Sequence, residues 1–332
     1  MIGINFNIDD VDARTLDLLG PDGIGHTGAR LWVNPCAVMR APGGYDFSAV
    51  EAALVKLRQA GYWTYASVSG WPAFMSGGKF AYGPFSCWVP WHEGDPEPWQ
   101  IGGTGKWRFA RPGEMPHCHQ PNVPDLDSAQ VEAYALAFGR ACGDLIHAAG
   151  AGNEYDQRDF WPPVEPDYRA GDTRALQQVY IPFRRGMQRA MPGGAVLIVG
   201  PESATPDGFR RACELENESG KRVQDIGAVH MYAWGAFPEN SWVRAGNYLR
   251  VWAKHAQGRM LWDTETDDEG TGKYIEFLRG CEARFGDAIA AHFRFKPTRY
   301  LTNSSGKLTV TAEGLAMKAY LRDEYKRRAV RT

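Results

Sequence analysis

Eight apolar runs separated by amphipathic stretches constrain this chain more than any other feature. The runs fall at 2–6, 28–33, 62–68, 146–152, 195–200, 226–232, 259–264 and 288–295. Several are nearly continuous, as in Ala195-Val196-Leu197-Ile198-Val199, the pattern of parallel strands covered on both faces. Between them apolar residues recur at the helical period. Val50, Leu54 and Leu57 share one face over 48–60, ahead of Gly61. Val131, Tyr134, Ala135, Phe138 and Cys142 do the same over 128–145, behind Asp127 or Ser128 as the cap. A helix is also expected over 172–191, kinked by Pro182. Another is expected over about 311–328, starting at Thr311 and closing in Lys326, Arg327 and Arg328, whose charge complements the helix dipole.

Eight strand–helix units close most simply into a single (β/α)8 TIM barrel of the α/β class. The alternative, an open doubly wound sheet, usually carries a glycine-rich phosphate loop after its first strand. Here that loop reads Asn7-Ile8-Asp9-Asp10-Val11-Asp12, and its acidic residues would repel phosphate. No repeat, low-complexity tract or linker interrupts residues 1–332, which read as one domain. One connection is far longer than the rest. Residues 71–126 follow strand 3 and carry Trp71, Trp88, Trp91, Trp99 and Trp107. A loop of that length within a compact domain is commonly functional, its aromatic content argues against disorder, and on a barrel it lies at the catalytic face.

Composition narrows the function classes. The net charge of −2 gives no electrostatic case for nucleic acid or an anionic membrane. No run of about 18 apolar residues suggests a transmembrane helix. The chain enters a strand at once, with no signal peptide, so the expected setting is the cytoplasm, release by lysis or a carrier particle, or a trimmed secreted protein. Cysteines at 36, 87, 118, 142, 213 and 281 contain no CxxC pair and form neither a disulfide framework nor a zinc ribbon. Cys142 falls on a helix as a core residue, while Cys87 and Cys118 share the long loop, where a pairing is open to them.

Two of the apolar runs end in glutamate, at Ala149-Gly150-Ala151-Gly152-Asn153-Glu154 and Met260-Leu261-Trp262-Asp263-Thr264-Glu265. By the strand count these are strands 4 and 7, and both carboxylates lie at the C-terminal mouth, where barrel enzymes build their sites. Two carboxylates facing one cleft suit glycosidic-bond hydrolysis, in which one protonates the leaving oxygen and the other attacks or stabilises the anomeric carbon. A third, Glu202 in Gly200-Pro201-Glu202-Ser203, ends strand 5; site tuning, substrate binding and a structural salt bridge are all open to it. His117-Cys118-His119 and His92-Glu93 in the long loop match no common zinc spacing. Neither metal nor cofactor is expected.

The ordered set resembles the retaining glycoside hydrolases of clan A, whose catalytic glutamates stand on strands 4 and 7, and is nearest in flavour to family thirty-nine. The resemblance covers most of the chain. It implies that Glu154 is the acid/base and Glu265 the nucleophile. Asn153 beside Glu154 would bind the sugar 2-hydroxyl, and Trp262 and Thr264 match the aromatic and small hydroxyl residues before the nucleophile. Arg30 at the end of strand 2 would hold Glu265 ionised, with help from Tyr232 of the His230-Met231-Tyr232 element that ends strand 6. The charge on Glu265 would keep a proton on Glu154, and His230 would bond either carboxylate or serve structure alone. The strand-8 aromatic usual in this superfamily has only Phe293 and Phe295 as candidates, with Arg294 between them. Trp71 is the first choice for stacking on a sugar and Trp234 the second. The expected partner is a carbohydrate, cleaved by an endo-acting monomeric enzyme. The competing classes are a degenerate carbohydrate-binding barrel and a barrel metallohydrolase.

Overall fold

In the computed structural model the described residues are 1–41, 43–72, 75, 88–95, 99–101, 105–109, 126–156, 176–220, 222–232, 238–255, 259–266, 270–294, 299–304 and 307–331. Eight strands stand where the apolar runs predict them: β1 (Ile2–Phe6), β2 (Gly28–Val33), β3 (Trp63–Val68), β4 (Ala148–Ala151), β5 (Leu197–Ile198), β6 (Ile226–His230), β7 (Met260–Thr266) and β8 (Ile289–Arg294). All pair in parallel, in the order β5-β4-β3-β2-β1-β8-β7-β6. Isolated bridges Val199↔Ile226 and Ser203↔Val229 join β5 to β6. The amide of Gly200 donates to Ile226 O at 2.8 Å and that of His230 to Ser203 O at 2.9 Å across the same seam. The result is a (β/α)8 barrel.

A helix follows each strand: α1 (Ala13–Leu19), α2 (Ser48–Gln59), α3 (Ser128–Cys142), α4 (Ile181–Ala190), α5 (Pro206–Ser219), α6 (Glu239–His255), α7 (Thr271–Phe285) and α8 (Ala312–Arg331). Their starts follow the capping chemistry. Asp127 accepts from the Ala129 amide at 2.8 Å, and Thr311 Oγ1 accepts from the Gly314 amide at 3.1 Å. Pro182 lies within the expected helical segment, at the junction where a π turn over Leu176–Tyr180 passes directly into α4, so the helical register changes beside the proline.

Strand alternation sorts the side chains. Outward residues such as Ile4, Leu31, Ala66 and Val229 join the core beneath the helices. Inward residues Tyr65, Ala148, Val199, Ile226, Ala228, Trp262 and Phe293 fill the barrel. The interior is largely aromatic. Trp262 packs edge-on to Trp63 and Tyr65, with ring centroids 5.0 and 6.0 Å apart, and lies 5.9 Å from Phe293. Such rings fit because glycines face them. A Cβ on Gly3 would lie 2.5 Å from the Phe293 ring and 2.9 Å from Gly28 O. Phe293 thus fills the barrel beneath the mouth, Arg294 points outward to Thr271, and Phe295 lies outside the described residues.

The segment after β3 contains three antiparallel strands, Trp88–Pro90, Trp99–Ile101 and Gly105–Phe109, in which Trp99 pairs with Trp107. Its described ends are anchored in the core by Trp71, Met75 and Leu126. Cys36, next to the C-terminal end of β2, is disulfide-bonded to a partner outside the described residues, whereas Cys142, Cys213 and Cys281 are free and buried. The sequence reading did not single out Cys36 for pairing, and Cys142 is the helical core residue it expected. Among the described residues no helix is long and apolar enough to cross a membrane.

Replacing Gly3 by alanine should cost about 1–3 kcal/mol, since the ring it would strike is locked by other rings. Denaturant melts of Gly3→Ala check this; wild-type stability would show that the aromatic packing is looser than described.

Candidate active site

Arg30 stands at the centre of the mouth. It points inward from β2, beside Asn5 on β1 and Tyr65 on β3 in the strand register. Its Nε donates to Glu202 Oε1 at 3.0 Å and its Nη2 to Glu202 Oε2, a two-point grip, while Nη1 donates to Glu265 Oε2 at 2.9 Å. Nη2 also reaches Ser67 Oγ and Asn153 Oδ1, both at 3.2 Å. The guanidinium lies over the Trp32 ring, 4.7 Å from its centroid. Burial opposes the charge on Arg30, but Glu202 and then Glu265 outweigh it and hold the proton more firmly than usual.

Glu202 is completely buried, and Tyr65 donates to it at 2.6 Å and Ser67 at 3.2 Å. Of the roles open to it, the salt bridge is the one built here. Asn5, Trp32, Tyr65 and Ser67 were not singled out in the sequence. A period-two count through Arg30, extended across the register, brings all four to the same inward face.

Glu265 reaches the mouth through a bulge. Trp262 points inward, so strict alternation would turn Glu265 outward. Val229 pairs with Asp263 and His230 with Glu265, leaving Thr264 as the extra residue. The opposite edge of β7 gains a residue at the same place. The bulge re-aims the strand. Asp263 faces outward to His292, 3.1 Å away, and Glu265 meets Arg30 and the hydroxyl of Tyr232. Burial raises the pKa of Glu265; His230 and Arg30 oppose that rise and Glu154 adds to it. The expected effect of Arg30 and Tyr232 is present, but desolvation outweighs it.

Glu154 lies three residues beyond β4. It is the one non-glycine residue with positive φ, at 43°, among the described residues. A left-handed glutamate costs about 1–3 kcal/mol and needs external support. Support comes from the next two residues: Tyr155 bonds Gly208 O, and Asp156 accepts from the amides of Ala204 at 2.9 Å and Thr205 at 2.8 Å. The Glu154 carboxylate meets His230 Nδ1 at 2.9 Å. His230 is fully buried, and its Nε2 stands 3.8 Å from Glu202. Burial lowers the pKa of His230, but Glu265, then Glu154 and Glu202, raise it more, to about 9.

The structure therefore gathers Arg30, Asn153, Glu154, His230, Tyr232 and Glu265 in one mouth. It does not place Trp71 there. Trp71 is fully buried and packed edge-on to Tyr134 of α3 at 5.2 Å, so neither face is free to stack on a sugar. Trp234 lies outside the described residues, as do His117, Cys118 and His119. Among the described residues no three His, Cys, Asp or Glu side chains are grouped to hold a metal ion.

No family model matches the chain, and no curated protein matches it. Solved structures do match. The fold is a (β/α)8 barrel like those of several solved glycosidases. A family 30 endoxylanase from Clostridium papyrosolvens C71 is similar with a TM-score of 0.56 at 16% identity, over 97% of this chain and 71% of that one. The β-glycosidase BGL167 is similar with a TM-score of 0.59 at 12% identity, over 96% and 87% of the two chains. The family 30 subfamily 8 xylanase Xyn30A from Clostridium acetobutylicum follows at 0.54 and 16% identity, over 97% and 70%. At these identities the likeness is one of fold, and it agrees with the clan A resemblance at that level.

A raised His230 pKa means that the folded protein holds this proton more tightly than the unfolded chain. The resulting stabilisation is complete below the ordinary value of 6.5 and is lost as pH rises through about 9. Denaturant melts across that window should show wild-type stability falling relative to His230→Gln; parallel curves would contradict the assignment.

Proposed function

We propose that this barrel is a retaining glycoside hydrolase of clan A, nearest in kind to family thirty-nine, with Glu154 as acid/base and Glu265 as nucleophile. The observation that carries the reading is the unequal setting of two carboxylates in one mouth. Glu265 is held by a cation and a phenol; Glu154 is held by an imidazole that carries a proton. Unequal environments are what divide two carboxyl groups into separate roles.

In the first step a Glu265 oxygen forms a bond to the anomeric carbon as the glycosidic C–O bond breaks. The leaving oxygen takes a proton through Glu154, and the His230–Glu154 pair supplies it. Each carboxylate oxygen accepts more than one hydrogen bond, so Arg30 and Tyr232 keep their hold while Glu265 attacks. Once esterified, Glu265 is neutral, and the strongest influence raising the His230 pKa disappears. In the second step water attacks the anomeric carbon, its proton passes to Glu154, and the ester bond breaks to return Glu265 as carboxylate. Action within a polysaccharide chain is the reading suggested by the tryptophan-rich sequence of the long segment after β3, since tryptophans suit stacking on successive sugars.

Reducing-end release from a polysaccharide panel, with 4-nitrophenyl β-glycosides alongside, tests the reading. Glu154→Gln should lower turnover about 10²–10⁴-fold. Glu265→Gln should abolish turnover, since the amide cannot form the covalent ester, and should lower the melting temperature because Arg30 loses a buried anionic partner. Full activity in Glu265→Gln rejects this nucleophile. Sugar binding without turnover by the wild type identifies a degenerate binding barrel instead.

A further inference from the structure

Asn5 is the last inward residue of β1, since Ile4 and Phe6 face the outer core and Gly3 faces Phe293 inside the barrel. It pairs in register with Arg30, at the C-terminal end of the barrel. Only 6% of its surface is exposed, yet neither Oδ1 nor Nδ2 has a hydrogen-bond partner. The neighbouring Arg30, Tyr65, Ser67 and Glu202 bond among themselves and leave Asn5 out. One other inward group at this level, His230 Nε2, also lacks a hydrogen bond. A buried amide with both ends unpaired costs about 1–3 kcal/mol per group, and nothing in the local backbone needs an asparagine there, because β1 is regular.

We propose that Asn5 is a substrate-binding residue that reads the hydroxyl pattern of the sugar bound beside Glu265. This rests on the glycosidase reading and deepens it. A carboxamide offers one acceptor and two donors in one plane. A pair of neighbouring sugar hydroxyls offers the complementary set, and the cost of the unpaired amide is relieved only when such a ligand arrives. A site built this way rejects analogues lacking the hydroxyl, because the buried amide is then left unpaired again.

The test compares wild type with Asn5→Ala on the 4-nitrophenyl β-glycoside most readily cleaved and on its monodeoxy analogues, with melting temperatures measured without ligand. The expected result is a loss of about tenfold to a hundredfold in kcat/KM for Asn5→Ala on the parent glycoside. One deoxy analogue should be discriminated against by the wild type and not by the variant, and the melting temperature should be unchanged or higher. Unchanged discrimination at every position, or a lowered melting temperature with all substrates affected alike, overturns the proposal and makes Asn5 a hydrated structural group. If the wild type cleaves none of the glycosides, the glycosidase reading fails on its own. Calorimetric binding of the same compounds then decides: binding by wild type and not by Asn5→Ala upholds the role of Asn5, and equal binding, or none by either, rejects it.

Discussion

The guanidinium of Arg30 is the group on which the mouth of this barrel depends. One buried cation from β2 meets carboxylates delivered by the ends of β5 and β7, a hydroxyl from β3 and an amide from beyond β4. Burying so many charges is expensive, and it is tolerable only because nearly every lone pair and N–H is matched. Removing one partner would leave a charge stranded in a dry interior, which costs about 3–5 kcal/mol. The network therefore fixes the relative positions of five strand ends.

Around that centre the backbone departs from regularity at two places, and both carry a glutamate. The bulge at Thr264 turns Glu265 inward, and the left-handed conformation of Glu154 turns its carboxylate toward His230. Neither departure helps the strand or loop that contains it. Each is held by bonds elsewhere: Arg30 and Tyr232 hold the first, Tyr155 and Asp156 the second. Irregular backbone at both carboxylates suits a surface organised around a ligand more than one organised for stability.

Much of this was legible in the sequence, for identifiable reasons. Apolar runs and helical periods report burial directly, so all eight strands and the capped starts of α3 and α8 were readable. Strand counting then brought Arg30, Glu154, His230, Tyr232 and Glu265 to one mouth. What escaped depends on three-dimensional closure. The bond between Glu202 and Arg30 spans the barrel, and no local pattern announces it. Trp71 was misjudged because an aromatic residue at a strand end has the same local signature whether it meets a sugar or the flank of α3. Asn5 was passed over because a lone asparagine in a strand becomes informative only when its neighbours are seen to be satisfied without it.

The central claim is that Arg30 and His230 make Glu265 the nucleophile and Glu154 its proton partner. The most direct measurement is peptide mapping after incubation with an activated 2-deoxy-2-fluoro glycoside of the preferred sugar, which slows breakdown of the covalent intermediate. The account predicts a single glycosylated peptide with the sugar esterified to Glu265. A label on Glu154 or Glu202, or turnover of the parent glycoside with no covalent species on any carboxylate, would contradict it.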